Sequence, residues 1–465
     1  MAAPTVPSET APAERLSFGR KLAFGVGDLG PALVASIQGF FLNAFLLDIA
    51  GIRPGAAGII FLIVKIWDSV NDPLVGRLTD RTNTRWGRRR PWLLFGAVPF
   101  GLAWFLQWLV PDLSQAGLFW YYLIVALLLD TGFTAVNVPY TALTPELSHD
   151  YDERTSLNSF RFSFSILGGL AALAVHSVLI DAFPSVTQGY AISAGVMGVV
   201  IVISNLITFA FTEESHFKED AEADDPGFVE GVRIALRNRP FLYVVAIYLL
   251  SWLCIQFVQG NMLLYVRYWA GGEDRFIQLA FALQVSAFVF LLFWSRVSQK
   301  WGKQKVYYVG MSFWIAVEIV LFFVQPGQFN LLLILAVLAG VGVSVGYLIP
   351  WSMLPDVVEL DELETGQRRE GIFYGFFVFL QKLGVSLGLA FSNFILEAAG
   401  YINAEDLNVL PEQPTAVLTA LRIFVSLVPA VILLISFPIV YRYPITREKH
   451  HEIRARLAAR KQNTT

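Results

Sequence analysis

Charge and cysteine are what this chain has least of. Of its 465 residues only 15% are Asp, Glu, Lys or Arg, against about 25% in a soluble domain. Hydrophobic residues make up 55% and aromatics 14%, which places the chain in the membrane class. The single cysteine, Cys254, excludes an internal disulfide and reads as small apolar packing beside Trp252. No Cys and His pair has metal-ligand spacing, which argues against a structural zinc site. A net charge of −3 excludes a global basic footprint for nucleic acid. Residues 1–15 lack the basic start and apolar core of a cleaved signal. No nucleophile elbow, phosphate-binding glycine loop or kinase motif is present, so an enzyme is not expected and no cofactor is implied.

What is there is a series of long apolar runs. Read against turn and charge breaks, they give about twelve spans with cores at 20–49, 56–79, 92–110, 117–143, 158–181, 189–211, 240–269, 275–298, 305–324, 329–354, 371–398 and 415–440. Such runs are too long for barrel strands, so each is a helix and the fold class is an all-α membrane protein. Basic residues cluster in alternate loops: Arg81, Arg85, Arg88, Arg89 and Arg90, then Lys300, Lys303 and Lys305, then Arg368 and Arg369, and finally the tail from Arg442. The intervening loops carry almost none, so both termini are expected on the cytoplasmic side of the plasma (cell inner) membrane.

The organisation expected is a disordered tail at 1–19, a six-helix half at 20–211 and a cytoplasmic linker at 212–239. A second six-helix half at 240–440 and a basic cytoplasmic tail at 441–465 complete it. The linker is acidic, with Glu213, Glu214, Glu219, Asp220, Glu222, Asp224 and Asp225. Arg85-Trp86-Gly87-Arg88 in the first half echoes Lys300-Trp301-Gly302-Lys303 in the second. Two parallel six-helix halves are the transporter plan of the major facilitator superfamily.

The least apolar stretch within a span is Lys65-Ile66-Trp67-Asp68-Ser69-Val70-Asn71-Asp72-Pro73. Each central charge costs roughly 2.5–3.5 kcal/mol on insertion scales, so its retention points to function. Asp68 and Asp72 are one helical turn apart on one face, with Lys65 a turn earlier. Carboxylates suit a hard cation. Pro73 has no N–H, so the Ser69 carbonyl loses its helix donor and is free to face an ion. Asn71 supplies an amide that can orient a carboxylate.

Other polar residues at membrane depth mark a path for an organic solute. They are Asp28 and Gln38 on the first span, Asp130, Thr134, Asn137, Tyr140 and Thr141 on or after the fourth, and Arg161 on the fifth. Gln256, Gln259 and Asn261 follow on the seventh, Glu318 on the ninth and Trp351 at the end of the tenth. Gly25, Gly27, Gly30 and Pro31 mark points at which the first span is expected either to bend or to pack closely. Arg161 can hold an anionic or hydroxyl-rich group. Arg85 and Arg88 in the loop 80–91, and Asp356 and Arg369 in and beside the acidic loop 355–370, are candidate gating charges; Asp80 can pair with Arg88.

Several motifs resemble the glycoside–pentoside–hexuronide:cation symporter family, the melibiose-carrier branch of the major facilitator superfamily. They are Trp67-Asp68-Ser69-Val70-Asn71-Asp72-Pro73-Leu74-Val75-Gly76, Arg85-Trp86-Gly87-Arg88-Arg89-Arg90-Pro91-Trp92, Met353-Leu354-Pro355-Asp356-Val357-Val358 and Gln381-Lys382-Leu383-Gly384. Val138-Pro139-Tyr140-Thr141-Ala142-Leu143-Thr144 and Pro350-Trp351-Ser352 are more similar to sodium-dependent lysophospholipid symporters. The resemblance implies cation-coupled import by alternating access, with sodium held by the positions matching Asp68, Asp72 and Thr134 and with Lys382 nearby. A proton is the alternative coupling ion, since a buried aspartate can carry one. Sugar carriers have carboxylates and a stacking tryptophan where this chain has Ala32, Asn137 and Thr141. By the habit of the family the solute is a sugar or glycoside; the alternative is a lysophospholipid. A monomer in the lipid bilayer, with no nucleic-acid partner, is expected.

Overall fold

The computed structural model describes residues 16–148, 151–214, 227–367, 369–404 and 410–462. Most of the 1–19 tail, the acidic residues Glu219, Asp220, Glu222, Asp224 and Asp225, and Arg368 lie outside them. The described residues are helices joined by loops, without a strand. In order they form α1 (Phe18–Val26), α2 (Leu29–Ile37), α3 (Pro54–Arg81), α4 (Arg90–Gln107), α5 (Gln115–Ala142), α6 (Thr144–Leu147), α7 (Tyr151–Asp181) and α8 (Val186–Phe211). There follow α9 (Gly227–Arg237), α10 (Arg239–Tyr265), α11 (Phe276–Trp301), α12 (Lys303–Phe322), α13 (Phe329–Thr365), α14 (Glu370–Ala398), α15 (Thr415–Val425), α16 (Leu427–Arg442) and α17 (Arg447–Gln462).

Ten stretches are long and apolar enough to cross a bilayer: Phe18–Leu42, Gln115–Ala142, Glu153–Asp181, Val186–Phe211, Arg239–Ala270, Glu273–Trp301, Lys303–Phe322, Phe329–Thr365, Glu370–Ala398 and Thr415–Arg442. The remaining two of the twelve are α3 and α4. Their 28 and 18 residues reach about 42 and 27 Å at 1.5 Å per residue, the first longer than and the second close to the hydrocarbon core of about 30 Å. Lys65, Asp68 and Asp72 lower the apolarity of α3, while Arg90, Pro91, Pro99 and Gln107 dilute that of α4.

The chain folds as two compact units. The first comprises residues 1–36, 70–109 and 125–220; the second comprises 37–69, 110–124 and 221–465. In the first unit α4 packs on α8, and α1 packs on α7 and α8. Glycines permit the close approach: a Cβ at Gly101 would fall 2.7 Å from the Gly198 carbonyl oxygen. In the second unit α13 packs on α10, α11 and α12, and α10 also packs on α14, α15 and α16. Its core is built on Phe241, Tyr248, Tyr307, Trp314, Leu354 and Phe373, all fully or almost fully buried. Asn238 opens α10 by accepting from the Phe241 N–H at 2.9 Å, a standard cap for an orphan donor.

The bend expected in the first span lies at Gly27 and Asp28, between α1 and α2. Other distortions had no counterpart in the sequence pattern. Gln38–Leu42 and Phe45–Ile49 wind as π-helix, as does Val266–Ala270 after α10. Such segments concentrate at functional sites because each shifts the helix register by one residue.

Candidate functional site

At the turn between α1 and α2 the Phe24 and Gly25 carbonyls accept from the Gly27 and Asp28 N–H groups at 3.1 and 3.0 Å, three residues on. Tyr140 on α5 donates its hydroxyl to the Phe24 carbonyl at 2.8 Å, and Thr208 on α8 donates to that of Ala23 at 2.9 Å. Gly27 makes this possible: a Cβ there would lie 2.5 Å from the Tyr140 ring and 2.7 Å from the Thr208 hydroxyl. The first residue past the break, Asp28, is buried and meets Arg161 on α7 with Nε–Oδ1 3.3 Å. The Arg161 guanidinium also stands 5.7 Å from the centres of the Tyr140 and Phe162 rings. Asp28, Tyr140 and Arg161 thus form one cluster in the first unit. Asn137 and Thr141 lie half-buried on the same helix as Tyr140, and the Thr141 hydroxyl donates to the Val138 carbonyl.

Along α3 the two acids meet different surroundings. Asp68 is 2% exposed, and each of its oxygens takes one ammonium: Lys382 on α14 reaches Oδ1 at 2.9 Å, and Lys65 reaches Oδ2 at 3.1 Å. Asp72 lies half-buried one turn on. Its Oδ1 accepts from the hydroxyl of Thr134 on α5 at 3.0 Å, and Thr134 is 1% exposed. The Asn71 amide donates to Asp130 Oδ2 at 3.4 Å, so the carboxylate it meets is that of Asp130. Ser69 turns its hydroxyl back onto the Lys65 carbonyl at 2.8 Å, and α3 continues through Pro73.

The charged loops resolve into pairs inside each unit. Arg88 and Arg89 both reach Glu146 Oε1, at 2.8 and 3.1 Å. The arginine that approaches Asp80 is Arg89, at 3.9 Å. Arg85 is exposed and lies over the Trp86 ring at 4.4 Å. Burial pushes the Glu146 carboxyl above its ordinary range; Arg89 and Arg88 pull it down and Glu214 pushes it further up, with burial prevailing. In the second unit Lys303 sits 2.6 Å from Asp356 Oδ2, and His450 of α17 lies 3.3 Å from Oδ1. Arg369 is bidentate on Asp361, at 2.9 and 2.6 Å. Trp351 donates its indole N–H to the Tyr248 hydroxyl at 3.0 Å and stands edge-on to Phe377.

Residues 23–447 match the family described as MFS/sugar transport protein. The chain belongs to that family. An uncharacterized symporter from Synechocystis sp. is 40% identical across 98% of this chain and 99% of that protein. The sodium-dependent lysophosphatidylcholine symporter 1 of Gallus gallus is 30% identical across 94% of this chain and 89% of that protein. Among solved structures, a mutant of the nucleoside transporter NupG superposes with a TM-score of 0.66, covering 92% of this chain and 100% of that chain at 13% identity. That likeness shows the fold alone. The protein is a multi-pass membrane symporter of the major facilitator type.

Two clusters of this family member were not among the residues singled out from the sequence. Glu214, just past α8, places its carboxylate on the N-terminus of α4. Oε2 accepts from the Arg88 N–H at 2.6 Å, and Oε1 accepts from those of Arg89 and Arg90 at 2.7 Å each. An anion on the free N–H groups of a helix start is favoured by both hydrogen bonding and dipole. The preceding turn needs the positive φ of Gly87 (102°), and Gly302 (84°) serves the echo motif in the second unit. The second cluster surrounds Asp48, which is 2% exposed. Arg267, Tyr268 and Tyr401 all donate to it, and Arg267 also pairs with Glu273. A signal existed: Arg267 falls inside the apolar run 240–269, where a charge is as costly as those of α3.

Proposed function

We propose that this protein is a sodium-coupled symporter that imports a lysophospholipid across the plasma membrane by alternating access. The observation that carries cation coupling is the set of carboxylates on and beside α3. Asp72 is oriented by Thr134 from another helix, and Asp68 one turn away already pairs with two ammoniums. In the first unit Asp72 and Asp130 both carry negative charge, which a bound cation would offset. Neutrality is what lets a site cross a low-dielectric closed state. Asp72, Thr134 and the freed Ser69 carbonyl offer oxygens suited to a hard ion. Asp68 exchanges an ammonium for the ion, with Lys382 and Lys65 as its resting counter-charges, and Asn71 acts through Asp130.

For the solute, the lysophospholipid reading is supported by the Gallus gallus relative, whose identity extends over nearly the whole chain. It is supported too by the absence of the sugar carriers' groups at Ala32, Asn137 and Thr141. Arg161 would hold the phosphate, since its planar fork suits phosphate oxygens, with Asp28 as its partner between loads. Asn137, Tyr140, Thr141 and Trp351 are the other groups proposed to face the solute. Arg85, Arg88, Asp356 and Arg369 are proposed as gating charges at the cytoplasmic ends of the two six-helix halves, 20–211 and 240–440. The test is uptake into proteoliposomes of a panel of lysophospholipids and glycosides, with and without a sodium gradient. Sodium-driven uptake of a lysophospholipid is the expected result. Uptake of a glycoside alone would overturn the solute, and uptake indifferent to sodium would overturn the coupling.

A further inference from the structure

Glu318, one of the membrane-depth polar residues of the sequence, belongs to none of the clusters described above. It sits on α12 four residues before the helix ends, about 22 Å along the helix from Lys303. It is 1% exposed. One oxygen, Oε1, accepts from the Trp314 indole N–H at 2.6 Å; the other, Oε2, has no hydrogen-bond partner among the described residues. A buried polar atom left unpaired costs about 1–3 kcal/mol, and more if charged, so a carboxyl group here calls for an explanation.

Glu318 lines a cavity of about 40 Å³ within the second unit. The walls are apolar side chains from α10, α11, α12 and α13, with Phe40 from the π-helical segment. The other polar group on the wall is Gln259 of α10. The volume exceeds the 10–15 Å³ that one water needs. A hard cation would require several oxygens, and one carboxyl with one carboxamide does not supply them. A proton requires one. On α10 the Cys254 thiol is close enough to Glu318 for the two to interact electrostatically. α11, α13 and the π-helical segment present only uncharged residues to the cavity. Among the described residues no basic side chain lines the cavity to balance an anion, and an unpaired buried carboxylate is far costlier than its neutral acid.

We propose that Glu318 is a proton-binding site of the second unit, separate from the cation site on α3, whose proton exchanges with solution only when its cavity opens to water. In the loaded form Oε2 carries the proton. On release the Oε2–H bond breaks and the proton passes to cavity water and on to solution. The carboxylate that remains keeps the Trp314 N–H on Oε1. Release into a closed cavity would strand a bare charge, so the proton leaves only with hydration of the cavity. This ties proton exchange to movement of α10, α11 and α13 around α12. The inference does not depend on which solute is carried.

The test uses the full chain in lipid nanodiscs and proteoliposomes, with E318Q as the comparison, which keeps the side-chain shape and an acceptor for Trp314. The infrared difference between wild type and E318Q at neutral pH should show one protonated carboxyl band. Held in D2O with neither sodium nor lysophosphatidylcholine, that band should exchange slowly, and with both present it should exchange fast. A pH dye should report proton movement that E318Q lacks. D68N should leave the band in place, because the two sites are separate. A wild type with no such band at neutral pH would overturn the proposal, as would a band that never exchanges or one lost in D68N. If no lysophosphatidylcholine is transported, the band and its exchange during sodium-driven opening still decide the matter.

Discussion

Replacing Asp68 by Asn separates the two roles its carboxylate could have. Its oxygens lie 2.9 Å from Lys382 Nζ and 3.1 Å from Lys65 Nζ. At an effective dielectric of about 20, these contacts correspond to roughly 6 and 5 kcal/mol of gross attraction. The side chains of Lys382 and Lys65 are 22% and 34% exposed, so solvent recovers much of what is lost. A net destabilisation of about 2–4 kcal/mol is the expected cost, within the range for breaking a buried pair. Asp68→Asn should therefore melt earlier and also lose the sodium dependence of both melting and uptake. Adding Lys382→Met removes the ammonium stranded by the first change. The double variant should regain most of the stability and none of the sodium dependence. Thermal unfolding against sodium concentration and uptake into proteoliposomes measure the two quantities separately. If the double variant recovers sodium coupling along with stability, Asp68 is a brace between helices and not an ion ligand.

Thr134→Val removes the hydroxyl that Asp72 accepts; a hydrogen bond to a charge contributes about 1.5–3 kcal/mol. Sodium activation of uptake should shift to roughly ten- to hundredfold higher concentration, and an unshifted curve would exclude Thr134 from the site. Gly27→Ala drives a methyl into Tyr140 and Thr208, an overpacking expected to cost about 1–3 kcal/mol; a melting temperature equal to wild type would refute it. Glu146 has a folded pKa above its ordinary 4.5, so its contribution to stability is complete below that value and is lost as pH rises through the raised one. Wild type should thus lose stability relative to Glu146→Gln as the pH climbs from the ordinary value, and parallel pH profiles would show the burial argument to be wrong.

The charge trio of α3 was legible because an ionisable residue in an apolar run stands out against its neighbours. The bend at Gly27 was legible for a related reason, since glycines and a proline crowd four positions. What escaped is equally physical. An extra residue per turn leaves no compositional trace, so the π-helical windings around Phe40 and Asp48 could not be read. Glu214 looked like one acid in a solvated linker. Its contact with the start of α4 depends on folding that brings residues more than a hundred positions apart together. Asn71 was read as orienting a carboxylate, and the one it meets is that of Asp130 on α5, a partner that spacing along α3 could not name. The arginine that approaches Asp80 is Arg89, one residue on from Arg88.

The double occupancy of Asp68 bears on leakage. If Asp68 takes the coupling ion as proposed, an ion arriving alone meets oxygens that each already hold an ammonium and cannot simply fall into place at the rate of diffusion. It must dislodge a lysine, so entry is slowed by a barrier and steeply dependent on temperature. A transporter built this way resists short-circuiting its own gradient. With solute absent, little current should flow.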